Sequence, residues 1–153
     1  RARALFALCG LDILQGAADL RNVGLGSTIF AVKPGDGSAR EQAASCQKVL
    51  GGWANLAVEY ATKRYRSNLI NWGMLPFITD ADLAATLKVG DWLAVPNVRK
   101  AVQNAEPTIL AYVVRENGSA EQIALTLKDL TDGERQIILD GCLINFYNST
   151  RKQ

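Results

Sequence analysis

The residues best suited by type and spacing to do chemistry are the six at positions 35–40, Gly-Asp-Gly-Ser-Ala-Arg. Gly35 and Gly37 let the chain turn tightly and let an anion approach the main chain. The helix predicted to follow offers unpaired backbone N–H groups and the positive end of its dipole. Ser38 and Arg40 sit at that same end. A carboxylate or phosphate suits such a place, with Arg40 able to hold it through two parallel hydrogen bonds. A plainer alternative stands beside this one: a turn before a helix, with Ser38 as its N-cap and Arg40 a solvated first-turn residue. The stretch is not a Walker loop, because no Gly-Lys-Ser/Thr follows. It is not a dinucleotide fingerprint either, because Arg40 stands where the third glycine belongs.

The rest of the composition narrows the chemistry. There is no histidine in the 153 residues. That removes the Ser-His-Asp triad, the Cys-His pair and the common zinc hydrolase sites, and leaves proton transfer to Ser, Tyr, Lys, Cys, Asp or Glu. The three cysteines, Cys9, Cys46 and Cys142, are far apart and form no Cys-x-x-Cys pair. No metal or cluster site is therefore expected from this chain alone, and the thiols read as half-buried. An odd, sparse count fits a reducing compartment, hence a cytoplasmic location. A net charge of +2 is too small to argue for nucleic acid or an anionic membrane, and no apolar run is long enough to span a bilayer.

Elements must hold those residues. The chain is long enough for one domain with its own core. Residues 2–20 carry an apolar stripe, Leu5, Leu8, Leu11 and Leu14, at helical spacing, weakened by Gly10 and Gly16. Residues 1–11 have the basic start and apolar stretch of a short signal peptide, but Asp12 interrupts the run and no initiator Met precedes it. They read instead as a helix of a fragment whose beginning lies upstream. Residues 27–33 are apolar and β-branched, predicting a buried strand. A helix is expected from about residue 38 or 39 to 50, closed by Gly51-Gly52. A strand over 53–60 and a helix over 61–71 follow. Further strands are expected over 87–95, 108–115 and 120–128, with Asn117-Gly118 as a hairpin turn. Thr131 and Glu134 have capping-box spacing and begin a last helix. Trp53, Trp72 and Trp92 read as core or interface residues.

These segments carry a family resemblance. GDGSAREQAA resembles the Gly-Ser-Ser-Arg-Glu-x-Ala signature of the C-terminal swivel domain of the aconitase and isopropylmalate isomerase superfamily. YATKRYRSNLINWGMLPF, residues 60–77, is similar to the family's second segment, and LTDGERQIILDGCLINFYN, residues 130–148, to its terminal helix. The wording KPGDGSAREQAASCQKVLGG most resembles the uncharacterised aconitase-like hydratase branch.

The resemblance implies an α/β fold: a single swivelling β/β/α domain with a mixed sheet or small barrel flanked by helices. Its expected parts are a helical lead-in (1–26), a signature strand-loop-helix region (27–77), a mostly β stretch (78–130) and a terminal helix (131–148). It implies a hydro-lyase acting on a hydroxy di- or tricarboxylic acid. Ser38 would be the base and Arg40 the carboxylate clamp, with Ala39 and Gly37 also at the substrate. Arg66, Ser67 and Asn68 match the second segment and imply support for the site, against plain helix capping and surface charge. A [4Fe-4S] cluster would be bound by other domains of the same chain or of a large subunit, so this piece would be inactive alone. Two positions depart from the pattern: Ala39 stands where many relatives have a second serine, and Tyr65 where many have histidine. A non-catalytic regulatory or RNA-binding relative is the alternative the resemblance leaves, and an anion-binding module a third.

Overall fold

Residues 27–78 pass twice from apolar strand to amphipathic helix and back, and the chain folds accordingly. The computed structural model describes residues 23–151; the helix expected over 2–20, with Cys9, lies outside the described residues. Strand β1 (Ser27–Ala31) leads through the glycine loop into helix α1 (Arg40–Val49). Strand β2 (Gly52–Ala57), helix α2 (Lys63–Asn71) and strand β3 (Leu75–Ile78) follow. The three strands form a parallel sheet in the order β1-β2-β3. Gly51, with φ +84, and Gly52 end α1 as predicted. The helix over 61–71 begins two residues later than expected, at Lys63, because the Thr62 hydroxyl caps it by accepting from Tyr65 N–H.

The expected burial of β1 is not met. Ser27–Phe30 are exposed, and Ile29 and Phe30 keep 40% and 36% of their surface. The reason is position: β1 is an edge strand with β2 as its one partner among the described residues, whereas β2 is flanked on both sides. Parallel strands read as uniformly apolar, but only cover on both faces buries them.

Residues 78–130 contain more helix than the alternation suggested. Helix α3 (Ala81–Thr86) is capped by Asp80, whose carboxylate accepts from Leu83 N–H at 2.6 Å. Strand β4 (Trp92–Ala94) is all that forms of the strand expected over 87–95, and helix α4 (Val98–Gln103) follows it. Strands β5 (Ile109–Val114) and β6 (Ala120–Leu125) make the predicted hairpin through Asn117-Gly118, and β4 joins them in an antiparallel sheet. Among the described residues the two sheets meet at one bridge, Ile78 to Thr126, and no barrel closes. The architecture is thus mixed α/β, two small sheets flanked by six helices among the described residues.

The terminal helix is two. The capping box at Thr131 and Glu134 starts helix α5 (Asp132–Asp140), as read from the sequence. Gly141, at φ +90, stops it, and helix α6 (Leu143–Thr150) restarts beyond. Among the described residues, buried side chains gather in two clusters. One face of β2 and β3 (Ala54, Leu56, Leu75, Phe77) joins Ile109, Val113, Leu125 and Ile137. On α1 and α2, Ala44, Tyr65 and Leu69 pack with Met74 in a second cluster. That second cluster lies directly behind the glycine loop.

Candidate functional site

The glycine loop leaves the carboxyl end of β1, the end at which parallel α/β sheets place their ligand crevices. It is stitched to the segment that follows β2. The Val32 carbonyl accepts from the N–H groups of Val58 and Glu59, each at 3.1 Å, and the Pro34 carbonyl from Ala61 N–H at 2.9 Å. Lys33 and Glu59 form a solvent-exposed ion pair at 2.7 Å, which adds little. Two stretches distant in sequence are thereby brought together, and the start of α2 lies under the loop.

Gly35 is the pivot. Its φ is +96, and its carbonyl accepts twice, from Arg40 Nε at 3.2 Å and from Thr62 Oγ1 at 3.0 Å. A Cβ at this position would lie 2.5 Å from Cβ, Cγ and Cδ1 of Tyr65, so the backbone rests directly on that side chain. Only glycine meets both conditions.

A cavity of about 350 Å³ opens above this pivot, lined by Gly35, Gly37, Ser38, Ala39, Arg40, Ala43 and Tyr65. That is at the small end of the range for ligand sites. Ser38 is exposed to it, and its hydroxyl has no hydrogen-bond partner among the described residues. Ser38 is not the cap of α1. Ala39 holds that position, with no side-chain cap bond, so the first amides of α1 keep their capacity for an anion. Arg40 is half-buried and tied through Nε, which leaves both terminal Nη groups without a partner among the described residues. A guanidinium held by its inner nitrogen and open at its fork is arranged to take a carboxylate bidentately.

Beneath the cavity, Tyr65 is 3% exposed, and its hydroxyl bonds the side-chain amides of Gln47 (2.7 Å) and Asn55 (3.0 Å). Asn55 is itself 1% exposed. Both amides donate through their NH2 groups, so the phenol oxygen receives both bonds through its lone pairs. Tyr60 packs beside it, ring centroids 6.2 Å apart, with its hydroxyl near the carbonyls of Asn55 and Phe77, 3.4 Å from each. Burial, with Tyr65 adding, pushes the Tyr60 hydroxyl far up, so it stays protonated and cannot serve as a base.

Of the residues singled out from the sequence, Gly37, Ser38, Ala39 and Arg40 share this cavity. Arg66, Ser67 and Asn68 do not line it. Arg66 instead donates to the Lys128 carbonyl. The residues of the second segment that touch the loop are Ala61, through its backbone N–H, and Thr62 and Tyr65, through their side chains. Sequence reasoning noted Tyr65 only as a departure from the family and passed over Thr62. A Thr three residues before an aromatic at a helix start is a capping signal that could have found both. Cys46 is exposed and Cys142 half-buried. Among the described residues no three of His, Cys, Asp and Glu gather into a metal site, and no helix is long and apolar enough to cross a membrane.

Residues 13–82 match the family described as the aconitase C-terminal domain. Over 137 residues the chain is 28% identical to aconitate hydratase A of Rickettsia bellii (strain RML369-C), an alignment covering 88% of this chain and 15% of that protein. The chain thus spans a small part of the relative it matches.

Proposed function

We propose, from the match of residues 13–82 to the aconitase C-terminal domain, that this chain supplies one wall of the active site of an aconitase-like hydro-lyase. Its substrate is a hydroxy di- or tricarboxylic acid, and the remaining domains of such an enzyme supply the opposite wall. The observation that carries the reading is the pairing in one cavity of the Ser38 hydroxyl and the Arg40 guanidinium, which is anchored at Nε; among the described residues neither the hydroxyl nor the guanidinium fork has a partner.

In this reading Arg40 binds a substrate carboxylate and sets the α-carbon against Ser38 Oγ. Ser38 removes the proton beside that carboxylate. A serine hydroxyl is a poor base in water, so its anion must be stabilised, and the N-terminus of α1 and the guanidinium two residues on both favour negative charge there. Ala39 contributes its backbone N–H to the same anion and no hydroxyl of its own, which leaves room for a substrate group that a second serine would fill. A [4Fe-4S] cluster held by the other domains would act as Lewis acid toward the departing hydroxyl. This chain's described residues offer no thiolate set for it: Cys46 lies on α1 and Cys142 ahead of α6, with no third donor beside either. Two free thiols suit a reducing compartment such as the cytoplasm.

The test is anaerobic turnover by the complete iron-loaded protein on a panel of hydroxy di- and tricarboxylates, followed by the ultraviolet absorbance of the unsaturated acid. Ser38→Ala is expected to lower turnover by roughly 10²-fold or more with an unchanged melting temperature, the usual scale for a lost general base. Turnover that survives Ser38→Ala sinks the assigned base. Absence of turnover on every acid, with the cluster demonstrably loaded, sinks the hydro-lyase reading.

A further inference from the structure

Ser38 and Arg40 must be aimed by something, and the loop that carries them is too exposed to hold its own shape. Gly37, Ser38 and Ala39 are all exposed, and a Cβ at Gly37 would meet nothing within 4 Å. Among the described residues, the contacts that fix residues 34 and 35 come, apart from Arg40 itself, from the start of α2 and the residues leading into it. The Thr62 hydroxyl does two things at once. It accepts from Tyr65 N–H at 3.3 Å, which caps α2, and it donates to the Gly35 carbonyl at 3.0 Å, which pins the loop. Tyr65 then forms the floor on which Gly35 rests, and its hydroxyl is held from α1 by Gln47 and from β2 by Asn55. Because Arg40 Nε shares the same Gly35 carbonyl, a shift of that carbonyl moves the guanidinium as well as the serine.

We infer that Thr62 and Tyr65 are positioning residues: Thr62 pins the Gly35 carbonyl, Tyr65 buttresses the Gly35 backbone, and together they aim Ser38 and Arg40 at the substrate. The consequence for turnover rests on the hydro-lyase reading; the pinning itself concerns only this chain.

Helix capping alone would be a structural role, and the two jobs of Thr62 can be separated by chemistry. Thr62→Ser keeps both. Thr62→Asp keeps an acceptor for Tyr65 N–H and is a good N-cap, but its carboxylate has no proton for the Gly35 carbonyl. Tyr65→Leu removes the aromatic floor without adding charge. All three are made in the complete protein and read in two ways. The first is amide exchange at Ala61, whose N–H is bonded to Pro34, against exchange within α2. The second is kcat and KM on the hydroxy-acid turned over by the wild type.

Thr62→Ser is expected to match the wild type in both. Thr62→Asp is expected to leave exchange within α2 and the melting temperature unchanged, yet speed exchange at Ala61 roughly tenfold, as local opening does. It is expected to lower kcat by roughly 10²-fold, more than it raises KM, the scale for misplacing a catalytic group by about 1 Å. Tyr65→Leu is expected to show the same kinetic pattern. Wild-type exchange at Ala61 in Thr62→Asp, or a loss confined to melting temperature with kcat intact, overturns the inference. A wild type with no turnover on any hydroxy-acid would defeat the hydro-lyase reading instead, and exchange at Ala61 would still decide the pinning.

Discussion

Replacing Gly35 by alanine tests the whole arrangement with one methyl group. The added Cβ would stand 2.5 Å from three carbons of Tyr65. Carbon atoms rest in contact at about 3.5 Å, so something must move by about 1 Å. The ring is the harder of the two to move. It is 3% exposed and its hydroxyl is held by Gln47 and Asn55, whereas the loop beyond Gly35 faces solvent. The loop should therefore yield. The positive φ of +96 adds strain for any residue with a Cβ, about 1–2 kcal/mol. Residual overpacking would add about 1–3 kcal/mol if the loop did not give way. Relief by the loop keeps the stability loss near the lower end, about 2 kcal/mol, against a usual total of about 5–15. The cost appears in chemistry, because a shift of about 1 Å at Ser38 and Arg40 lowers kcat roughly 10²-fold. Urea unfolding and turnover of the complete protein read the two effects separately. Gly37→Ala, with open space around its Cβ, is the control for stability and should melt as the wild type does. Wild-type turnover in Gly35→Ala would refute the view that this backbone rests on the Tyr65 ring and aims the site.

Other positions give sharper single effects. Arg40→Lys loses both the planar fork and the Nε tie to Gly35; KM for a hydroxy-acid should rise roughly tenfold, because an ammonium is a point charge that cannot bind bidentately. Gly73→Ala should destabilise by about 2–4 kcal/mol in urea unfolding, since its φ is +67 and a Cβ would run into the Gly141 backbone where α5 ends. Tyr60 titrates above its unfolded value because of its burial, then because of Tyr65. Its contribution to stability is therefore complete below about pH 10 and falls as pH rises beyond that, by at most about 1.4 kcal/mol per unit. Tyr60→Phe should flatten that alkaline slope in pH-dependent unfolding, and an unchanged slope would show that another group is responsible.

Elements whose signals are local were legible in the sequence. Residues 27–78 alternate strand and helix as their apolar spacing says, Asn117-Gly118 turns the β5–β6 hairpin, and Thr131 with Glu134 starts α5. It also picked out residues 35–40, and Gly37, Ser38, Ala39 and Arg40 do share one cavity. Where a local rule had two readings, tertiary contact chose. Helices α3 and α4 are six residues each, too short for apolar period to separate them from strand, and a single glycine, Gly141, splits what reads as one terminal helix. Apolar β1 read as buried but is exposed, because strand composition does not say which strand takes the edge. The partners of the loop were hidden for the same reason. Thr62 and Tyr65 reach Gly35 from 27 and 30 positions away, and only the pairing of β1 with β2 brings their segment beneath it. Side-chain type is written in the sequence, but which carbonyl a hydroxyl meets depends on packing across elements, and that was decided by the folded chain alone.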